Sequence, residues 1–252
     1  MSGSRPLSFA FEHTPKPVRN LLRRLKYYTM AKLPGRVYWN FASRVSPTAA
    51  ILTDCTDEKE FFESARYQVK PLEVLGLLGP QARVLDIGCG IGRVVKSIYP
   101  MVESVLGVDI SDHMVEQARE KVKASNVSFQ RVDGKSLNGV PSEAFDCCYS
   151  FFVFQHIPRS SVASYFREVH RVLKPDGRFL FQMQISEDST RRDPPAGHPF
   201  GIRLYRVSEV EGLLVNAGFA VAGRYDPSGM LLEAIPKVLP DNNLLFLACK
   251  PS

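Results

Sequence analysis

From residue 83 onward, short apolar runs alternate with segments whose apolar side chains recur every three or four positions. The first pattern is that of buried strands and the second that of amphipathic helices. It predicts strands over 83–87, 104–108, 127–131, 145–150, 177–184, 219–225 and 243–250, with helices at about 92–99, 111–124, 160–173 and 207–217. Strands joined through helices build a parallel sheet covered on both faces, an α/β architecture. Only the irregular stretch "DPSGMLLEAIPKVLPDN" separates the last two strands, so the final strand is expected to run antiparallel.

Upstream the pattern is looser. "VRNLLRRLKYYTM" places Val18, Leu21, Leu22 and Leu25 on one side of a short helix, with Arg19, Arg23, Arg24 and Lys26 mostly off that stripe. Pro34 and Gly35 are expected to stop it, and residues 36–56 carry little pattern. "TDEKEFFESARYQVK" then reads as a helix capped by Thr56, with Pro71 dividing it from "PLEVLGLL". This gives a basic arm and helical extension over 1–56 and a main domain over 57–252.

Composition changes the picture in one respect. The 252 residues are 44% hydrophobic and 23% charged, ordinary for a globular chain. The net charge of +6 is uneven: residues 1–36 carry +7 and the remainder −1. The basicity belongs to the arm, which weakens a nucleic-acid reading based on overall charge. The five cysteines lack metal-ligand spacing and read as free thiols of a cytoplasmic protein, with no metal expected. No apolar run is long enough to span a membrane, and no secretory signal is expected. The arm from 16 to 36 is left with three roles: a lid on the body, a peripheral contact with an anionic membrane, or recruitment of a partner.

The chemistry concentrates in "RVLDIGCGIGR" at 83–93. Gly88, Gly90 and Gly92 follow a strand and form a turn where backbone approaches a ligand closely. Asp86 sits inside the strand just ahead of them. A carboxylate there repels a diphosphate and suits a ligand that carries an ammonium group. Asp109 closes the second strand, 21 residues after Gly88, where it can accept bonds from ribose hydroxyls.

These residues resemble the first motif of the class I S-adenosylmethionine-dependent methyltransferases. The resemblance runs over about 57–250, through "RVDGKSL", "FDCCYSFFVFQHIP", "LKPDGRFLFQ" and "YRVSEVEGLLVNAGF". It implies a Rossmann-like, doubly wound, seven-stranded sheet in the order 3-2-1-4-5-7-6. It also implies S-adenosyl-L-methionine as cofactor and S-adenosyl-L-homocysteine as product. Asp86, Gly88, Cys89, Gly90, Gly92, Asp109, Ile110, Met114, Asp133, Gly134 and Ser150 are the implied cofactor residues, Asp133 corresponding to the acid that receives the adenine amino group. Arg66 and Tyr67 are placed where they close over the cofactor carboxylate.

His156 is the candidate general base, with ordering of its loop or contact with cofactor as the alternative. Phe152, Gln155, Gln182 and Tyr205 are candidate acceptor contacts. Gln184 shares a strand face with Gln182, Phe151 and Phe154 belong to the same aromatic run as Phe152, and His198 and Tyr205 border a long insertion after the fifth strand. The segment after the fourth strand lacks an "NPPY"-like tetrapeptide, which argues against a nucleic-acid acceptor. The expected reaction is methylation of oxygen or nitrogen on a small molecule or glycan. A protein or lipid-linked acceptor, a non-catalytic cofactor-binding regulator and an NAD or nucleotide-sugar enzyme are the alternatives. Acceptor identity and oligomeric state are left open.

Overall fold

The computed structural model describes residues 34–52, 55, 57–188, 190, 193–194, 201–227 and 242–252. The expected helix at 18–30, Thr56, His198 and most of the connection at 226–242 lie outside the described residues. Seven strands form one sheet: β1 (Arg83–Ile87), β2 (Ser104–Asp109), β3 (Val127–Arg131), β4 (Phe145–Ser150), β5 (Leu173–Gln184), β6 (Ala220–Tyr225) and β7 (Asn243–Cys249). Their order is β3-β2-β1-β4-β5-β7-β6, with β1 to β5 parallel and β7 antiparallel to both neighbours.

The described helices are α1 (Gly35–Val45), α2 (Pro47–Ile51), α3 (Glu58–Glu63), α4 (Arg66–Val74), α5 (Val95–Ile98), α6 (Asp112–Lys121), α7 (Arg159–Val172) and α8 (Val207–Asn216). Strand alternation sorts the interior into two cores. Leu85, Ile87, Cys148, Phe179 and Phe181 face α7 and α8, while Val84, Cys147, Tyr149 and Leu180 face α4, α5 and α6. Phe154 is locked into the first core, edge-on to Phe166 at 5.4 Å and to Phe181 at 5.8 Å between centroids. Such aromatic pairs fix geometry as well as bury area. That anchor holds the segment after β4 against the sheet.

Four expectations are corrected. The poorly patterned 36–56 contains α2 and all but the first residue of α1, with Pro34 directly before that helix. Proline fits a helix start as well as an end, because its missing N–H is unneeded there. The cap of α3 is Asp57, whose Oδ1 accepts from Glu60 N at 2.7 Å. Pro71 lies inside α4 and divides nothing; the break falls at Ser64–Ala65. The fifth strand is counted from Leu173, which pairs with Phe145, and the pairing then jumps to Cys147 with Arg178, looping out the expected turn.

The roof helix α1 is attached by polar groups. Arg36 Nη2 donates to Asp112 Oδ2 at 2.7 Å, and Asn40 Oδ1 accepts from Ser111 Oγ at 2.7 Å and His113 N at 3.3 Å. Ser43, fully buried, meets His113 Nδ1 at 3.1 Å. No helix among the described residues is long and apolar enough to cross a membrane.

Candidate functional site

The C-terminal ends of β1, β2, β4 and β5 open into a cavity of about 830 Å³, near the upper end of ordinary small-molecule pockets. In an open parallel sheet this is the crevice where the strand order reverses. The glycine turn makes its floor. Gly88 has φ +79° and a Cβ built there would lie 2.2 Å from Val153 Cγ2; Gly90 has φ +53° and its Cβ would lie 2.6 Å from Ile51 Cδ1. Side chains at either position would fill the space that brings the turn close to the post-β4 segment and the roof.

Asp109 faces the cavity from the tip of β2. Its Oδ2 accepts from Gly90 N at 3.0 Å and its Oδ1 from Ser111 N at 2.9 Å. Burial pushes its pKa up, opposed by those backbone donors. A carboxylate has about four acceptor positions, so even with Ile110 N also close by, acceptor capacity remains for a ligand. Asp133, after β3, is more committed: Lys135 N and Ser136 N donate to Oδ1 at 2.7 Å each, and Ser136 Oγ donates to Oδ2 at 3.0 Å. Slight burial raises its pKa, but these donors outweigh it and leave the group below its ordinary range. One acceptor position remains.

Gly88, Gly90, Asp109, Ile110, Met114, Asp133 and Gly134 line the cavity as expected, and so do Phe152, Gln155 and His156. Asp86, Cys89, Gly92 and Ser150 do not. Asp86 lies behind the turn, 4% exposed, beside the Tyr149 hydroxyl. Cys89 and Gly92 pack towards Phe129, and Ser150 Oγ donates to Ile87 O at 2.9 Å. Arg66 and Tyr67 bond to each other at 3.0 Å away from the cavity. Tyr205 is buried under the Arg159 guanidinium, 4.1 Å from its ring centroid.

Gln182 is not at the cavity wall but at the centre of a buried amide chain. Its Oε1 accepts from Phe152 N at 2.9 Å; its Nε2 donates to Gln155 Oε1 at 3.1 Å and to Asn243 Oδ1. Gln155 Nε2 then meets His156 Nε2 at 3.2 Å. A backbone N–H can only donate, so Phe152 fixes which way Gln182 points, and Gln182 fixes Gln155. The proton of neutral His156 is thereby assigned to Nδ1, and its Nε2 lone pair is occupied. Phe152 itself holds φ +63°, a strained conformation for an aromatic residue.

Sequence reasoning missed Trp39, Ile51, Ser161 and Tyr165 as wall residues. Ser161 and Tyr165 stand one turn apart on α7, a spacing that the apolar stripe of that helix conceals. Burial raises the Tyr165 pKa, and Asp133 and Asp109 add to the rise, so its hydroxyl stays protonated in front of the two acids.

Two buried groups make opposing contributions to pH dependence. Burial, and less strongly Arg203, lowers the His156 pKa to about 4; burial raises that of Asp86 to about 7, with Asp109 adding to the rise. Between pH 4 and 6.5 an unfolded histidine holds a proton that folded His156 lacks, so this contribution to stability grows as pH rises. Folded Asp86 holds a proton that an unfolded aspartate has lost, so its contribution falls as pH rises from 4 towards 7. Each approaches a limit of about 1.4 kcal/mol per pH unit. Asp86→Asn is therefore expected to steepen the rise of urea-unfolding free energy with pH over that window; an unchanged slope contradicts the assignment.

Comparison with known proteins places this geometry. Residues 85–181 match the family described as a methyltransferase domain. An uncharacterized methyltransferase, YcgJ of Bacillus subtilis, is 38% identical, covering 49% of this chain and 48% of its own length. An S-adenosyl-L-methionine-dependent Diels-Alderase of Talaromyces variabilis, iccD, is 34% identical, covering 61% of this chain and 58% of its own. The chain thus spans about half the length of these curated relatives. Among solved structures, the [4+2]-cyclase SpnF superposes with a TM-score of 0.63 at 20% identity, covering 86% of this chain and 94% of that one.

Proposed function

We propose, from the premise that this chain is a class I S-adenosylmethionine-dependent methyltransferase, that it methylates an oxygen or nitrogen atom of a small molecule. The observation that carries the reading is the disposition of charge at the strand tips. Asp109 and Asp133 line the nucleoside side with Lys135 beside them, and Arg36, the cation of the roof, is already paired with Asp112. Arg93, next to the turn in sequence, is buried and donates to Ser64 and Gln68. That distribution suits a cationic amino-acid nucleoside and opposes a diphosphate.

The residues present fit the cofactor. Asp109 keeps acceptor capacity for ribose hydroxyls, and Asp133 has one position for the adenine amino group. Ile110 lies against Gly134, where a Cβ would come within 2.5 Å of its Cδ1, so glycine lets this apolar side chain form the wall on which a purine would pack. When bound, S-adenosylmethionine supplies a methyl carbon whose bond to positively charged sulfur breaks as the acceptor's lone pair takes it, leaving a neutral thioether, and the proton of the methylated acceptor is released to bulk solvent as the product leaves. The chain's contribution is to hold the acceptor in line and to exclude water, which Trp39, Ile51, Phe152 and Ile157 do. His156 is assigned an orienting role in place of a general base, because its Nε2 lone pair is engaged by Gln155.

Calorimetric titration is expected to give saturable binding of S-adenosylhomocysteine and none of NAD. The reverse result removes the reading. A second reading has the engaged histidine behind it. A pericyclic reaction needs shape and no base, and one relative is named as an S-adenosyl-L-methionine-dependent Diels-Alderase. Release of S-adenosylhomocysteine in step with acceptor consumption supports methyl transfer; consumption without it supports the second reading.

A further inference from the structure

The geometry points to Gln184 as the residue that recognises the acceptor, and to an acceptor that is uncharged and largely apolar with one hydroxyl or amine group. This rests on the methyl-transfer reading above. The acids of the cavity come from the ends of β2 and β3. On the opposite side, the segments that follow β4 and β5 contribute Phe152, Ile157 and Ile202, with Trp39 from α1 above them. Among the described residues of those two segments no charged side chain lines the cavity; Arg203, buried near His156, does not reach it.

The polar groups on that side are mostly engaged. Gln155 is bonded to Gln182 and His156. Gln184 differs: it is 5% exposed, lines the cavity, and its carboxamide makes no hydrogen bond to any described residue. Its main chain is fixed, with Gln184 O accepting from Tyr205 N at 3.0 Å and the residue paired with Asn243 in the ladder. A carboxamide that faces the cavity with no protein partner is available to a ligand group, and a bond made in that largely enclosed space adds to affinity. One amide can serve one hydroxyl or amine. Among the described residues on this side a charged acceptor would lose its hydration with no counter-ion, and the many hydroxyls of a glycan would find little more than this amide and the Ser161 and Tyr165 hydroxyls.

Trp39 is the only tryptophan of the chain and stands in this wall, so its fluorescence reports occupancy. With S-adenosylhomocysteine saturating, 4-butylphenol, 4-butylbenzoate, butylbenzene and phenyl glucoside are titrated separately. The phenol is expected to bind at least about tenfold more tightly than the benzoate or the glucoside. Gln184→Leu is expected to weaken the phenol about tenfold while leaving butylbenzene unchanged. Gln184→Met, unbranched and of similar length, gives the same comparison if the leucine variant does not fold. The proposal is overturned if the benzoate or glucoside binds as tightly, if the phenol does not bind, or if neither variant affects it. Failure of S-adenosylhomocysteine itself to bind, read by calorimetry with no probe present, removes the cofactor reading instead.

Discussion

Replacing Asp109 by alanine is expected to weaken S-adenosylhomocysteine binding by at least about 100-fold while the sheet stays folded. Two charge-assisted bonds to a ribose would be lost, each worth about 1.5–3 kcal/mol, and about 1.4 kcal/mol corresponds to tenfold in affinity. The same carboxylate also ties Gly90 N to Ser111 N, so its removal frees the glycine turn from the start of α6. The stability change is expected to be smaller, about 1–2 kcal/mol of destabilisation. Two backbone donors lose a partner, but a buried charge whose burial is unfavourable is removed with it. Asp109→Asn keeps an acceptor oxygen and loses the charge, so its binding should fall between the two. Calorimetry on the three proteins, with circular dichroism as the folding check, measures this order. Binding by the alanine variant within threefold of the original would show that the ribose does not sit at the tip of β2.

The sheet was legible because its signals are local. Apolar runs at strand length, a glycine turn and acids at strand ends need no knowledge of the tertiary structure. The roof was not legible for a definite reason. In α1 the outward positions Val37, Phe41 and Val45 are apolar and exposed, while the attachment to the body runs through Arg36, Asn40 and the buried Ser43. An apolar stripe is the signal for a packed helix, and this helix wears its stripe on the outside. The two glutamines of β5 show a second limit. Period two puts Gln182 and Gln184 on one face, but only the position of Asn243 and of the Phe152 amide decides which is consumed and which is left for a ligand. Those partners lie 30 and 61 residues away in the chain. Asp86 shows a third: its place in the sequence suggested direct contact, and its strand pairing opposite Tyr149 puts it behind the turn.

Gln182→Leu is the second substitution expected to have a large effect, and it tests whether the amide chain organises the acceptor side. The side chain is 2% exposed, and its three bonds go to the buried Gln155 and Asn243 and to the main chain of the half-buried Phe152. Leucine leaves Phe152 N–H and Gln155 Oε1 without their partner and takes a donor from Asn243. At about 1–3 kcal/mol for each buried group stranded, the loss should be about 2–4 kcal/mol by urea denaturation. The backbone at Phe152 is strained at φ +63° and is held there by this bond, so the cavity wall should relax as well. S-adenosylhomocysteine affinity should change less than threefold, because Asp109, Asp133 and the glycine turn lie across the cavity from β5. Gln155→Met cuts the chain one step later, leaves Phe152 and Gln182 joined, and should cost only about 1–2 kcal/mol. It also removes the N–H aimed at His156 Nε2, a donor that opposes protonation there, so the His156 titration followed by nuclear magnetic resonance should move upward from about 4. A simple packing defect would lower stability in both variants without moving that titration. An unmoved His156 in Gln155→Met would therefore mean that the amide chain and the histidine are neighbours without being coupled.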